Sequence, residues 1–551
     1  VKRFISRHRL QKRDPSAAAS DPVKPIIYYL DRGAPEPIRA ALLEGARWWN
    51  LAFAAAGYRD AFRVEMMPED ADPMDIRYSV IQWVHRSTRG WSYGSTVTDP
   101  RTGEIIKGHV TLGSLRVRQD YLIAEGLLAA YEEGQPVSPK MLQMALARLR
   151  QLSAHEVGHT LGLAHNYIAS TAGRASVMDY PHPLVKLDAN GAPDLSDAYA
   201  TGIGEWDKLA ISYGYSDFPA GTNEKAALDS IIRGGISRGI IFLSDQDARP
   251  PSSAHPSTHL WDNGRDAVDE LANVMKVRAA ALRRFGQNNI REGFPLATLE
   301  DVLVPVYLYH RYQVEAAVKV LGGADYRYAL RGDAQRSVEI VPPKEQLRAL
   351  DAVLATITPD ALALPDSIVK LIPPKPIGYG RGRENFRGRT GLTFDPLAPV
   401  ESAANHTLSL LLNSERAARL VEYHSRDAKY PGLHEVIDKL LAQTWRGRPG
   451  AASRAEVQRT VNAVVLHRLM SLAANERSAV QVRAIAAHKL NQLKTWLSGQ
   501  IRATPDEGQR AHYFFALGQI KKFEENPKQL NPTHPVEPPD GAPIGTDCDW
   551  P

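Results

Sequence analysis

The eleven residues from His155 to His165 constrain this chain more than any others. They read His155-Glu156-Val157-Gly158-His159-Thr160-Leu161-Gly162-Leu163-Ala164-His165. On a helix, residues four apart differ by only ~40° in azimuth and lie one turn apart. His155 and His159 therefore point the same way and can hold one divalent ion, with Zn2+ the natural choice for imidazole nitrogens. Glu156 follows the first ligand directly, so its carboxylate lies beside the ion rather than on it, where it can take a proton from water. Gly162 lacks a Cβ and can adopt a left-handed conformation that turns the chain off the helix axis. That turn lets His165 fold back as a third ligand. Three imidazoles leave a fourth position open, which is the arrangement of a catalytic rather than a structural zinc site. The short His-Glu-x-x-His form is weak by itself, and the spaced Gly and third His make the signal specific.

The rest of the chain narrows the options. A single cysteine, Cys548, excludes an internal disulfide framework and a thiolate cluster, so any metal must be held by His, Asp or Glu. Lys and Arg number 67 against 62 acidic residues, and a net charge of +5 over 551 residues is too small to argue for nucleic acid or an anionic membrane as partner. No run approaches the ~18 consecutive apolar residues of a membrane span. The length exceeds the roughly 250–300 residues that one core can serve. Residues 1–23, with Lys2, Arg3, Arg7, Arg9, Lys12 and Arg13, read as a basic arm or linker from an upstream region. Residues 24–218 read as the domain that carries the motif, 219–525 as a mainly helical domain and 526–551 as a Pro-rich tail. The chain starts at Val1 without a charged-then-apolar leader and reads as part of a longer precursor.

Hydrophobic periodicity supplies the elements. Pro25 to Leu30, Phe62 to Met67 and Ile76 to Val84 read as strands, and Pro37 to Ala56 as one helix ending at Gly57. Trp91 to Val97 and Ile105 to Leu112 flank Asp99-Pro100-Arg101-Thr102-Gly103 and predict a hairpin. Helices are expected near 121–132 and from Ser138, with Pro139 at the first helical position, to about Leu161. Beyond about residue 218 strands nearly vanish. Helical patterns run near 266–285, 298–321 with a kink at Pro305, 344–357, 401–424, 454–474, 477–498 and 506–523, and 372–399 reads as a long loop. The fold class is α+β: a mixed twisted sheet with an active-site helix, followed by a mostly α-helical domain.

Downstream of the motif comes Ser176-Val177-Met178-Asp179-Tyr180-Pro181. Together the two segments resemble the metzincin clan of zinc peptidases over about residues 24–218. The whole chain resembles large bacterial zinc-dependent metalloproteases that join such a domain to a helical C-terminal region. The resemblance implies that Met178 is the turn methionine, an apolar floor beneath the imidazoles. It implies that the Tyr180 phenol approaches the metal and swings to stabilise the oxyanion, the alternative being ordinary aromatic packing against the turn. It also implies a terminal helix over Gly204 to Tyr213, an edge strand in Lys107 to Leu112 that pairs with extended substrate, and an extracytoplasmic (periplasmic or secreted) location. Asn166 departs from the pattern, standing where astacin-like members carry Glu and serralysin-like members Pro, and the helical stretch at 117–137 reads as an insertion.

The function expected is that of a zinc metalloendopeptidase, a hydrolase of polypeptide substrates, with ligands His155, His159 and His165, base Glu156 and a catalytic Tyr180. Two rivals remain open. One is a binding or scaffolding protein whose zinc site is occluded or vestigial, and the other is hydrolysis of a non-peptide amide. Among the remaining candidates, His182 reads as a solvent-facing loop residue more than a pocket wall, and His109 as substrate-facing or surface. Asp188, Asn190, Asp194 and Asp197 form an acidic loop without the spacing of an EF-hand, so Ca2+ is the weaker option there. Arg381, Arg383, Arg387 and Arg389 around Phe386 read as a solvated loop rather than an RNA-binding segment. His255, His259 and His310 are scattered without ligand spacing.

Overall fold

The computed structural model of the chain describes residues 3–86, 91–448, 450, 453–527 and 535–541. Val1, Lys2 and Cys548 lie outside the described residues. The first half is built on a five-stranded sheet. β1 (Ile26–Leu30) alternates buried and half-buried positions, as a strand between two packed layers should. It is followed by α1 (Ile38–Arg47) and α2 (Trp49–Ala55), then β2 (Phe62–Met66), β3 (Ser79–Val84), β4 (Tyr93–Thr98) and β5 (Ile105–Gly113). The single helix expected over 37–56 is thus two, broken at Trp48. The adjacent Trp49 is buried and its indole N–H donates to the Ala154 carbonyl at 2.8 Å.

The strand order is β2-β1-β3-β5-β4, parallel except for β4, which runs antiparallel to β5. The hairpin is present, but the edge strand expected at Lys107 to Leu112 is corrected. β5 pairs on both sides, with β3 and with β4, so the free edge belongs to Tyr93–Thr98. The reason is visible in the residues. Val110 and Leu112 of β5 are fully buried, whereas Tyr93, Ser95 and Val97 of β4 face solvent. An apolar strand takes the interior and the half-polar arm of the hairpin takes the rim.

α3 (Leu115–Leu128) and α4 (Lys140–Thr160) follow, then α5 (Glu205–Tyr215), α6 (Glu224–Ser237), α7 (Asp245–Ala248), α8 (Ala267–Arg284), α9 (Leu299–Tyr307) and α10 (Arg311–Val318). Pro305 stays inside α9, and the chain breaks after it, at Leu308–His310. Helices at Pro343–Ala355, Leu397–Leu411, Ser414–Arg426, Leu433–Gln443, Ser453–Ala474, Val480–Ala503 and Glu507–Glu525 complete the C-terminal part. After residue 218 the strands among the described residues are the short pair Ala324–Tyr326 and Val338–Ile340. The molecule is therefore α+β, a mixed sheet with a helical C-terminal region.

Two large cores and a small cluster of Tyr167, Tyr180, Ala248, Leu260 and Trp261 fill the interior, and α4 belongs to both large cores. Leu149, Leu152, Ala154, Val157 and Leu161 pack with the sheet, α1 and α2. Met141 and Met144, one helix end away, join α3 and the C-terminal helices. The motif helix is thus anchored at both ends by different layers. α3 is also seated on the helical part, where a Cβ on Gly126 would lie 2.2 Å from Val306 Cγ2. Residues 3–23 lie along the sheet. Arg7 exchanges backbone hydrogen bonds with Gly103 (3.0 Å) and Ile105 (2.8 Å), and His8 is buried against the Tyr28 hydroxyl and Thr160 carbonyl at 3.0 Å each. The arginine segment is a loop, as expected. Arg381 pairs with Glu300 at 3.1 Å, Arg383 with Asp540 at 3.0 Å and Arg389 with Glu401, while Phe386 is buried. The four arginines are exposed, as a solvated loop requires, and three of them also tie the segment down through ion pairs.

Candidate metal centre

The C-terminal half of α4 is buried on every side from Leu149 to Leu161 except at Arg150. His155 and His159 project from one face as the four-residue spacing requires, with Nε2 atoms 3.1 Å apart. α4 stops at Thr160. Gly162 then takes φ +93°, and a Cβ there would lie 1.9 Å from the Ser6 carbonyl, so only glycine both turns and admits the N-terminal arm. The turn returns His165, whose Nε2 lies 3.1 Å from that of His159.

Each ring is oriented by its other nitrogen. His155 Nδ1 donates to the Val177 carbonyl (2.7 Å), His159 Nδ1 to the Leu163 carbonyl (2.9 Å) and His165 Nδ1 to the Asp245 carboxylate (2.9 Å). Since carbonyls and an ionised carboxylate only accept, all three Nδ1 atoms carry the proton and all three Nε2 atoms present lone pairs to one another. Burial holds the three imidazoles below their usual pKa, His159 at about 3, so they stay neutral. Three lone pairs with no donor between them repel unless a cation sits among them. Tetrahedral Zn–N bonds of about 2.0–2.1 Å place nitrogens roughly 3.3–3.4 Å apart, close to the 3.1 Å seen. The residues fit a zinc ion. Among the described residues, this is the only group of three or more His, Cys, Asp or Glu whose ligand atoms converge.

Glu156 is buried, and neither carboxylate oxygen has a hydrogen-bond partner. Desolvation raises its pKa to about 8, opposed by Arg148 and the Gly94 amide. A cation on the triad would pull it back down. β4 passes directly over this helix, and a Cβ on Gly94 would lie 2.3 Å from the Glu156 carbonyl. A cleft of about 520 Å3, lined by Thr96, His159, Leu163, His165, Asp245 and Arg249, borders the triad.

The segment 176–180 lies beneath the imidazoles. Met178 is fully buried, and a Cβ on Gly158 would lie 2.3 Å from its Sδ, so the helix carries glycine where the thioether presses on it. Asp207 of α5 ties the turn down, accepting from Ser176 Oγ (2.6 Å), Val177 N (2.8 Å) and Gly204 N (2.8 Å). Tyr180 is buried in a stack. Its ring centroid lies 4.3 Å from that of His155 and 5.4 Å from that of Trp261.

Several participants come from outside the motif. Asn166, the departure noted above, holds residues 241–243: its amide donates to Ile241 O (3.1 Å) and its carbonyl oxygen accepts from Leu243 N (3.3 Å). That contact delivers α7 and with it Asp245. Burial pushes the Asp245 carboxyl up, but hydrogen bonds from His165 and Arg249 hold it well below the usual carboxylate range. Arg249 also donates to the Tyr167 hydroxyl (2.9 Å), and the Tyr167 ring stacks on His165 at 4.8 Å. Ser244-Asp245-Gln246-Asp247 is a helix-start signature readable in the sequence, although nothing local ties it to the metal.

A family model described as Met-zincin matches residues 138–450. The chain belongs to that family. As a Met-zincin it is a zinc metalloprotease, and the family match runs from just before α4 to residue 450, so Asp245 lies inside it. No curated protein and no solved structure matches the chain.

The other sequence candidates stay apart from the Met-zincin centre. His182 is corrected from a solvent-facing residue: it is buried between the rings of Tyr309 (4.9 Å) and Tyr312 (5.6 Å), covered by a helical region that lies more than a hundred residues on. His109 is half-buried against Gln82 Oε1 (3.2 Å). Asp188 accepts from the amides of Asn190 and Ala192, Asp194 from Ser196, and Asp197 pairs with Arg174 and Lys186. His255 pairs with Asp325 (3.3 Å) and His259 with Glu315 (3.2 Å), while His310 is buried. No single helix among the described residues is long and apolar enough to cross a membrane.

Proposed function

We propose that this Met-zincin is an endopeptidase acting on extended polypeptide, with His155, His159 and His165 as ligands, Glu156 as general base and Tyr180 as oxyanion donor. The observation that carries the reading is the convergence of three Nε2 lone pairs beside the buried Glu156 carboxylate. His155, His159 and His165 would hold a zinc ion, which would supply Lewis acidity to the reaction. The Glu156 carboxylate accepts a proton from the attacking water and passes it to the leaving amine. The solvent-facing edge of β4 binds the substrate by main-chain pairing, because its other edge is taken by β5. Tyr180 donates its phenolic proton to the oxyanion from a fixed place, since stacking between His155 and Trp261 leaves its ring no room to swing.

The test is cleavage of casein by the zinc-loaded chain, blocked by a chelator and restored by zinc. Glu156→Gln is expected to keep one zinc per chain and lose activity by at least about 10²-fold, and Tyr180→Phe to keep zinc and lose about 10²–10³ in kcat. Undiminished cleavage by Glu156→Gln overturns the base assignment. A chain that keeps stoichiometric zinc and cleaves nothing favours the binding-protein reading.

A further inference from the structure

Two arginines near the metal centre have no role in that reaction. Arg116 of α3 and Arg148 of α4 are both buried, Arg148 completely. Arg148 stands seven residues before His155, on the same helix face. Their guanidinium carbons each lie 5.8 Å from the Trp261 ring, which stacks on Tyr180, and Arg148 lies 5.6 Å from the Tyr199 ring. Both cations act on His182, so the cluster sits between α4 and the segment that follows the methionine turn.

The charges do not balance through hydrogen bonds. Arg116 is bidentate to Asp120 at 3.1 Å per bond, and Arg148 reaches only the neutral amide oxygen of Gln151. Asp179 and Glu156 act on Arg148 at a distance, without a hydrogen bond. Arg148 Nε and Nη2 are buried without a hydrogen-bond partner, and beside them the Arg116 guanidinium and the buried Tyr199 hydroxyl have a contact with each other. A guanidinium stays charged at neutral pH, so burying two of them around one bonded carboxylate calls for another acceptor. Two orphaned N–H groups on one completely buried guanidinium, next to a second buried guanidinium, mark a missing occupant rather than a packing defect. Guanidinium N–H groups select an anion. Trp261, which walls the cluster, is held at φ +64° by donating its backbone N–H to the Tyr180 carbonyl at 2.7 Å.

We propose that Arg116, Arg148 and Tyr199 form a binding site for one small anion, taken either from solution as a halide or from a substrate as the carboxylate of an acidic residue beside the scissile bond. The substrate source rests on the peptidase reading, whereas the free-anion source does not.

Thermal unfolding of the zinc-loaded chain is followed while chloride, bromide or acetate replaces a bulky sulfonate at fixed ionic strength. In parallel, two peptides that differ only by Glu or Gln after the scissile bond are compared by kcat/KM. A resident free anion raises Tm saturably, by about 1–4 °C, and the response is absent from Arg148→Met. A substrate carboxylate instead gives a Glu-over-Gln preference of about 10–150-fold, the ratio a charged hydrogen bond supports, and Arg148→Met abolishes it. Neither a Tm response nor a preference in the wild-type chain overturns the site, and so does a response that persists unchanged in Arg148→Met. The wild-type measurements decide the matter even where the variant does not fold. Should no peptide be cleaved at all, the peptidase reading fails while the anion titration still judges the site.

Discussion

Replacing Asp245 by alanine leaves all three imidazoles in the chain but removes the acceptor that orients one of them. His165 Nδ1 donates to the two Asp245 oxygens at 3.0 and 2.9 Å. Without that bond the ring is free to rotate and to take the other tautomer, and its Nε2 no longer faces the other two by default. A hydrogen bond to a charged group is worth about 1.5–3 kcal/mol, which converts to roughly 10–150-fold in affinity. Loss of a carboxylate behind a metal-bound histidine gives about 10–100-fold, in the same range. Arg249 loses its carboxylate too and keeps the Tyr167 hydroxyl at 2.9 Å as acceptor, so the Tyr167 ring on His165 is also loosened. Zinc affinity of Asp245→Ala, measured by competition with a chromophoric chelator at pH 7.5, is therefore expected to fall about 10–100-fold. Asp245→Asn, whose amide oxygen still accepts, is expected to fall several-fold less. Circular dichroism of the zinc-free variants checks that the fold is kept. An Asp245→Ala affinity within about twofold of the parent, in a folded chain, refutes the claim that Asp245 holds His165 in place.

Two further perturbations probe the floor of the site. Gly158→Ala places a methyl 2.3 Å from Met178 Sδ and 2.6 Å from Trp49 Cζ2, and a loss of about 1–3 kcal/mol is expected in denaturant titration; stability equal to the parent's would contradict the packing described. Burial raises the Asp207 pKa to about 6 from 3.8, so the folded state holds that proton more tightly than the unfolded one. The stabilisation it brings is full below about pH 4 and is lost as pH rises through about 6, up to about 3 kcal/mol in all. The stability gap between the parent and Asp207→Asn should shrink accordingly from pH 4 to 7, and a gap that widens over that interval would reverse the sign of the argument.

The parts of the centre readable from the chain are those set by short-range geometry. Two histidines four residues apart share a helix face whatever surrounds them, and a glycine three residues on is where a helix can turn. The adjacent Glu156 and the Met178 segment follow from the same local logic. The alternation of Tyr28 and Leu30, or of Val110 and Leu112, likewise marks strands without reference to their partners. What failed to show itself came from far along the chain. The free edge at Tyr93–Thr98 is a matter of which side of β5 was already taken by β3. His182 looked exposed because Tyr309 and Tyr312, which bury it, lie in the helical region.

The convergence of the three candidate ligands is thus a property of eleven consecutive residues, because i to i+4 spacing and one left-handed turn suffice to gather three imidazoles. Their tautomers, the seat of the methionine and the balance of buried charge are not. Val177, Asp245 and Asp207 orient the rings and the turn across 22, 80 and 30 residues of sequence, and Arg116 meets Arg148 only because α3 and α4 share the core of the helical region. Hydrogen bonds and ion pairs of that span depend on which surfaces pack together, and packing is decided by the whole fold rather than by any window of the chain.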